Sequence, residues 1–296
     1  MGLRCVILST AAVLVLWGQE TTFRADARLV VLDVSVFDQA GKLVRDLGKD
    51  AFKVYENGQL QTLNTFRQDD VPISLGLIID TSASMTDKRN RVASAALAMV
   101  KASNPQDEVF IVSFSESAAI AKDFTNDTAE LENVLRALQP KGETAMRDAL
   151  LLGIQHLRTG AHRDKKVLVV ITDGEDNSSR ETQADLVRVA QSSNVLIYAI
   201  GLLGAEEPAS AARAGKQLEE LTGLTGGRAW FPDAVAQIAN ITPEIAHEIR
   251  NQYVLAYTPT NLTADGSYRR IRVDVDVPGA VVRTRKGYWA PKESGF

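Results

Sequence analysis

Four short runs in the middle of the chain are hydrophobic on both faces. Ile73 to Ile79, Val109 to Val112, Val167 to Ile171 and Val195 to Ile200 are nearly unbroken apolar stretches. Strands have this pattern when helices cover both faces of their sheet. Good helix formers separate the runs: Arg89 to Lys101, Thr128 to Leu138, Thr144 to Leu157, Ala184 to Ser192 and Ala211 to Leu221. Strand and helix alternate, so residues 71–250 predict an α/β unit. Its core is a doubly wound, mostly parallel sheet flanked by helices and joined by right-handed crossovers.

The flanks have a different period. In residues 24–70, Leu29 to Val36 is rich in β-branched residues and stops at Asp38-Gln39-Ala40-Gly41. Phe52 to Tyr55 alternates with period two, and Asn57-Gly58 predicts a hairpin turn into a further strand through Leu63. Residues 251–296 also read as strands. Arg270 to Val277 alternates charged and apolar residues, as a strand with one wet face requires. Neither flank is long enough to bury a core alone. The two are expected to pair into one β-sandwich, with the α/β unit inserted between them.

Composition adds two points. Lys plus Arg is 33 against 37 Asp plus Glu, a net charge of −4, and this mild acidity speaks against a nucleic-acid binder. Cys5, the single cysteine, lies at the start of the uncharged stretch Cys5 to Trp17. A basic start, a short apolar stretch and a small residue, Gly18, read as a secretory signal over residues 1–18. The stretch is shorter than the roughly 20 residues that span a bilayer. An uncleaved anchor is the alternative. The mature chain is expected to be exported (secreted, periplasmic or attached to the cell surface), to lack cysteine and to have no membrane span.

Candidate chemistry lies at the strand ends. Asp80-Thr81-Ser82-Ala83-Ser84 follows the first buried run, where ligands bind in open α/β sheets. Asp80, Ser82 and Ser84 offer one carboxylate and two hydroxyls from one loop. Thr172-Asp173-Gly174 brings a second carboxylate to the same edge, and Gly142-Glu143-Thr144 brings a third hydroxyl. An all-oxygen set suits Mg²⁺, Mn²⁺ or Ca²⁺ rather than zinc or copper. The alternative for Asp80, Ser82 and Ser84 is that they cap the next helix. Asp176-Asn177-Ser178-Ser179 reads as a solvated loop and helix cap.

Asp80-x-Ser82-x-Ser84, then Thr144, then Asp173 resembles the metal-ion-dependent adhesion site of von Willebrand factor type A domains, which have a Rossmann-like fold. The resemblance covers residues 71–250. Val54-Tyr55-Glu56-Asn57-Gly58 and Lys286-Gly287-Tyr288-Trp289-Ala290-Pro291 are similar to an exported bacterial subgroup. The family implies that Ser82, Ser84 and Thr144 ligate a metal, that Asp80 and Asp173 act directly or through water, and that a protein ligand's acidic side chain completes the shell. One departure is Glu143, where many members have glycine; its charge works against an acidic ligand.

A non-enzymatic binding or adhesion module is therefore expected. The alternative is a structural or assembly component in which the metal only stabilises and the β-sandwich makes the contacts. An enzyme would need a nucleophile and base or an acid–base pair. His156, His162 and His247 read instead as surface or helix-end residues, and no Gly-x-Ser-x-Gly elbow or Walker loop is present. Arg269, Arg270, Arg272, Arg283, Arg285 and Lys286 read as a solvated sheet face.

Overall fold

The computed structural model describes residues 29–292 apart from 69, 103 and 206. The expected signal segment, residues 1–18, lies outside the described residues. Strand β1 (Val30–Phe37) leads to the hairpin β2 (Phe52–Glu56) and β3 (Gln59–Gln61), then β4 (Leu63–Arg67). The alternating part follows as β5 (Ile73–Asp80), α1 (Arg89–Lys101), β6 (Glu108–Phe114), β7 (Ala118–Thr125), α2 (Thr128–Ala137) and α3 (Met146–Gly160). It continues through β8 (Lys165–Thr172), α4 (Gln183–Ser192), β9 (Val195–Gly201), α5 (Pro208–Thr225), β10 (Ala229–Trp230) and α6 (Ile238–Arg250). Strands β11 (Tyr253–Tyr257), β12 (Tyr268–Val275), β13 (Val281–Arg283) and β14 (Gly287–Trp289) come last among the described residues.

The apolar runs form the middle of a six-stranded sheet in the order β10-β9-β8-β5-β6-β7, parallel except for β7. Every residue of β5 is buried. Its Leu75, Leu77 and Ile79 pack with Val92 and Ala96 of α1, Leu131 of α2 and Ile245 of α6. Ile78 faces the opposite layer, with Leu150 and Ile154 of α3, Leu186 of α4 and Leu218 of α5. A strand sandwiched in this way must be apolar in both registers, which is why the sequence shows no alternation there. The strand order reverses at β5, with β6 on one side and β8 then β9 on the other. Loops leaving β5 and β8 therefore converge beyond their carboxyl ends.

Gly76 makes this packing possible. A Cβ there would lie 2.3 Å from Cζ of Phe110 and 2.4 Å from Cδ2 of Leu168. Gly76→Ala is expected to cost about 1–3 kcal/mol through overpacking. The measurement is a urea titration, in which the midpoint falls while the slope stays constant.

Two further sheets are antiparallel and each takes strands from both flanks, in the orders β13-β1-β11-β4 and β14-β12-β2-β3. Leu32, Val34, Tyr253 and Leu255 of the first sheet share a core with Phe52, Val54, Ile271 and Val273 of the second. The β2–β3 turn has Asn57 at φ 48° and Gly58 at φ 85°. These left-handed values at both central residues match the twist of a tight hairpin.

Three expectations change. Helix α3 begins at Met146 rather than Thr144, because the Thr144 carbonyl accepts from the backbone N–H groups of Asn177 and Ser178 at 3.0 and 3.1 Å. Strand β7 has no counterpart in the sequence reading. It is an edge strand and is only half-buried along much of its length, so no apolar run marks it. The arginines do not form one solvated face. Arg270 and Arg272 are exposed, but Arg269 is buried against the Thr263 carbonyl and Asp265. Arg285 donates to the Gln191 carbonyl and Asn194, tying the β-strands to the end of α4.

Candidate metal centre

Asp80 is the last residue of β5 and is 2 % exposed. Its Oδ1 accepts from the Ser82 N–H at 2.8 Å, and its Oδ2 accepts from Oγ1 of Thr172, the last residue of β8, at 2.6 Å. One carboxylate thus bridges the two strand ends and turns the chain back at Ser82. Burial pushes the Asp80 carboxyl above the ordinary aspartate range; hydrogen bonds from Ser82 and Thr172 act in the opposite sense, and the charge of Asp173 adds to the rise. A buried carboxylate in this state gains from a nearby cation.

The two serines complete the first loop. Their Oγ atoms are 3.1 Å apart, and Ser84 Oγ donates to Oδ1 of Asp173 at 2.8 Å. None of the three caps a helix. Lys88 occupies the N-cap of α1 without a side-chain cap bond, and the short 3-10 turn Ala83–Met85 after Ser82 also lacks one. The capping alternative is therefore not what these side chains do here.

Thr144 reaches the rim on a third loop. Lys141 N–H donates to the Thr81 carbonyl at 2.7 Å, and Ala83 N–H donates to the Gly142 carbonyl at 3.0 Å. Thr144, 5 % exposed, is fixed from behind because its N–H donates to Oδ1 of Asn177 at 2.9 Å. The loop Asp176-Asn177-Ser178-Ser179, with Asn177 exposed and the other three half-buried, is accordingly a buttress as well as a solvated loop. Asp176 accepts from the Arg147 N–H at 2.7 Å in the first turn of α3 and pairs with the Arg147 guanidinium at 3.0 Å. Its role as a helix cap is kept, on a helix earlier in the chain. Glu143 is exposed.

The sequence reading missed Lys88. Its ammonium makes a very close ion pair with Oδ2 of Asp173, a carboxylate with a fully buried side chain. Asp173 thus faces Ser84 with one oxygen and Lys88 with the other. No motif spacing pointed to this lysine; a cation eight residues beyond Asp80 was the only available signal.

The donor set fits a hard divalent cation. Adjacent ligands of an octahedral Mg²⁺, at about 2.1 Å from the ion, are about 3.0 Å apart. The Ser82–Ser84 and Ser84–Asp173 oxygen separations of 3.1 and 2.8 Å bracket that edge. Among the described residues, no three His, Cys, Asp or Glu side chains gather as a metal cluster. At this rim, hydroxyls outnumber carboxylates. The same described residues contain no helix long and apolar enough to cross a membrane.

Known proteins agree with this architecture. Residues 75–175 match the family model of the von Willebrand factor type A domain. An uncharacterized protein of Synechocystis (sll0103) is 26 % identical over 167 residues, 54 % of this chain and 40 % of its own. Mouse integrin alpha-11 is 32 % identical over 108 residues, 33 % of this chain and 9 % of its own. The chain therefore spans less than half the length of these curated relatives. Among solved structures, a von Willebrand factor type A protein from Catenulispora acidiphila superposes with a TM-score of 0.53 at 16 % identity. That match covers 92 % of this chain and 76 % of the other. The PilB minor pilin from Streptococcus sanguinis gives 0.51 at 17 % identity, covering 62 % and 63 %. At such identities the superpositions establish the fold, and function must be argued from the site.

Proposed function

We propose that the chain, whose residues 75–175 match the family model of the von Willebrand factor type A domain, is an exported, non-enzymatic adhesion or binding module. In this reading its sheet rim holds one divalent cation and engages a protein ligand there. The observation that carries the reading is the convergence of Asp80, Ser82, Ser84 and Asp173 through direct side-chain contacts, with Thr144 on a loop tied to theirs. Ser82, Ser84 and Thr144 would ligate through hydroxyls, and Asp80 and Asp173 would balance charge directly or through water. A bound Mg²⁺ or Mn²⁺ supplies an electrophilic contact at which a carboxylate of the ligand replaces a water. A minor pilin and an integrin among the similar proteins are consistent with an adhesive role.

The histidines support the non-enzymatic part. His156 stacks on Phe124 at 4.8 Å and bonds Asp123, His162 bonds Glu108, and His247 bonds Asn251. Each is engaged away from the rim set.

The test is a pull-down by the intact protein from extracts of cells that produce it, with Mg²⁺ or with EDTA. The expected result is a ligand retained in Mg²⁺, released by EDTA and not captured by Asp173→Ala. Capture indifferent to EDTA would favour a structural or assembly component.

Asn177 provides a finer test, because it positions Thr144 without a place in the ligand set. Asn177→Ala is expected to weaken Mn²⁺ binding roughly 10-fold or more, with little change in melting temperature in EDTA. Asn177→Asp keeps an acceptor for the Thr144 N–H and is expected to restore much of the affinity. Calorimetric titration reads both.

A further inference from the structure

The proposed site already contains a positive charge from the chain itself. Lys88 begins α1, and its N–H donates to the Met85 carbonyl at 3.0 Å, which anchors it one turn beyond Ser84. Its side chain is only 16 % exposed, so the ammonium lies against the rim rather than in solvent. It contacts Asp173, whose other oxygen is held by the hydroxyl of Ser84. Three of the five candidate ligands, Ser82, Ser84 and Asp173, are thus engaged in a network that ends in a lysine.

A divalent cation held by Ser84 and Asp173 would lie within a few ångströms of that ammonium. Like charges this close in a partly buried site repel strongly, because little water screens them. The cation also needs lone pairs of the Asp173 carboxylate, whose Oδ2 already accepts from the ammonium. Metal and ammonium therefore compete for one carboxylate. Without metal, the ammonium compensates a buried aspartate that, among the described residues, would otherwise face the negative charge of Asp80 without an ion-pair partner.

We propose that Lys88 is a tethered cation that occupies the Asp173 corner of the rim, must be displaced when a divalent cation binds, and so sets the cation affinity of the site. This inference rests on the metal reading above and adds an internal competitor to it. Competition of this kind is reciprocal: whatever strengthens the Lys88–Asp173 pair weakens metal binding, and the converse.

The experiment is a calorimetric Mn²⁺ titration of the full chain as wild type, Lys88→Met and Lys88→Arg. Lys88→Met removes the charge and keeps the apolar stem; Lys88→Arg keeps the charge. The expected result is Mn²⁺ binding about 10-fold or more tighter in Lys88→Met than in wild type, with Lys88→Arg close to wild type. Equal or weaker binding by Lys88→Met would overturn the role of Lys88 and leave the metal site standing. No binding by wild type or Lys88→Met would overturn both. A second measurement needs no variant: acetylation of Lys88 in the wild-type chain, read by mass spectrometry. Labelling is expected to rise when Mn²⁺ saturates the protein, as the ammonium leaves Asp173. Unchanged labelling at saturation would overturn the proposal.

Discussion

Asp80→Asn is expected to remove most of the response of the protein to divalent cations while leaving the metal-free protein about as stable as wild type or more so. The asparagine keeps an oxygen to accept from the Ser82 N–H, and the Thr172 hydroxyl can rotate to accept from its amide. What disappears is a buried negative charge that burial disfavours. In the metal-free state that removal is favourable or neutral, so the unfolding free energy in EDTA is expected to stay within about 1 kcal/mol of wild type or rise above it. With Mg²⁺ at about 100 times its dissociation constant, wild type gains about 2.7 kcal/mol from binding to the folded state alone. The variant is expected to gain about 0.4 kcal/mol or less, its affinity being lower by roughly 100-fold or more. Thermal melts of both proteins with Mg²⁺ and with EDTA check this. A variant that melts early in EDTA would mean that Asp80 serves stability rather than cation binding.

Asp107→Ala is expected to have the opposite signature, a large loss of stability with the cation response retained. Asp107 is 3 % exposed and lies just before β6, at the end of the sheet away from the rim. It accepts from the N–H of Ile73, the first residue of β5, at 2.8 Å and from the Asn104 N–H at 3.1 Å, and it pairs closely with Arg250 at the end of α6. Its removal leaves a largely buried guanidinium with, among the described residues, only the exposed Asp70 as carboxylate partner. Breaking such a buried pair costs about 3–5 kcal/mol. For a chain of this size, that lowers the melting temperature by on the order of 10 °C. Differential scanning calorimetry with and without Mg²⁺ separates the two effects, since the upward shift by Mg²⁺ should survive in the variant.

The two aspartates show which parts of the molecule were legible beforehand. Asp80 follows an apolar run and is spaced at i, i+2 and i+4 with two serines, and a buried strand ending at a sheet rim makes that spacing meaningful. The central strands were legible for the same reason, since burial on both faces leaves an unbroken hydrophobic signature. Asp107 sits in Asn-Pro-Gln-Asp, a sequence that looks like any polar loop. Its importance arises from Arg250, 143 positions away, and no local pattern carries that. Strand β7 was invisible because an edge strand need not be apolar. The Asp176–Ser179 loop was legible only in part, because polarity in sequence does not distinguish water from a backbone partner. Its side chains instead satisfy N–H groups of Thr144 and α3. Lys88 belongs to the same class of long-range contacts, since its partner lies 85 residues away.

The claim on which the functional reading rests is that this rim binds one divalent cation through the five named residues. Counting bound Mn²⁺ on the purified chain by electron paramagnetic resonance tests it most directly, because free and bound Mn²⁺ differ in signal and no ligand is needed. One saturable Mn²⁺ per chain is expected, displaced by Mg²⁺ and lost in Asp173→Ala. No bound Mn²⁺ up to millimolar concentrations, or one that persists in Asp173→Ala, would contradict it.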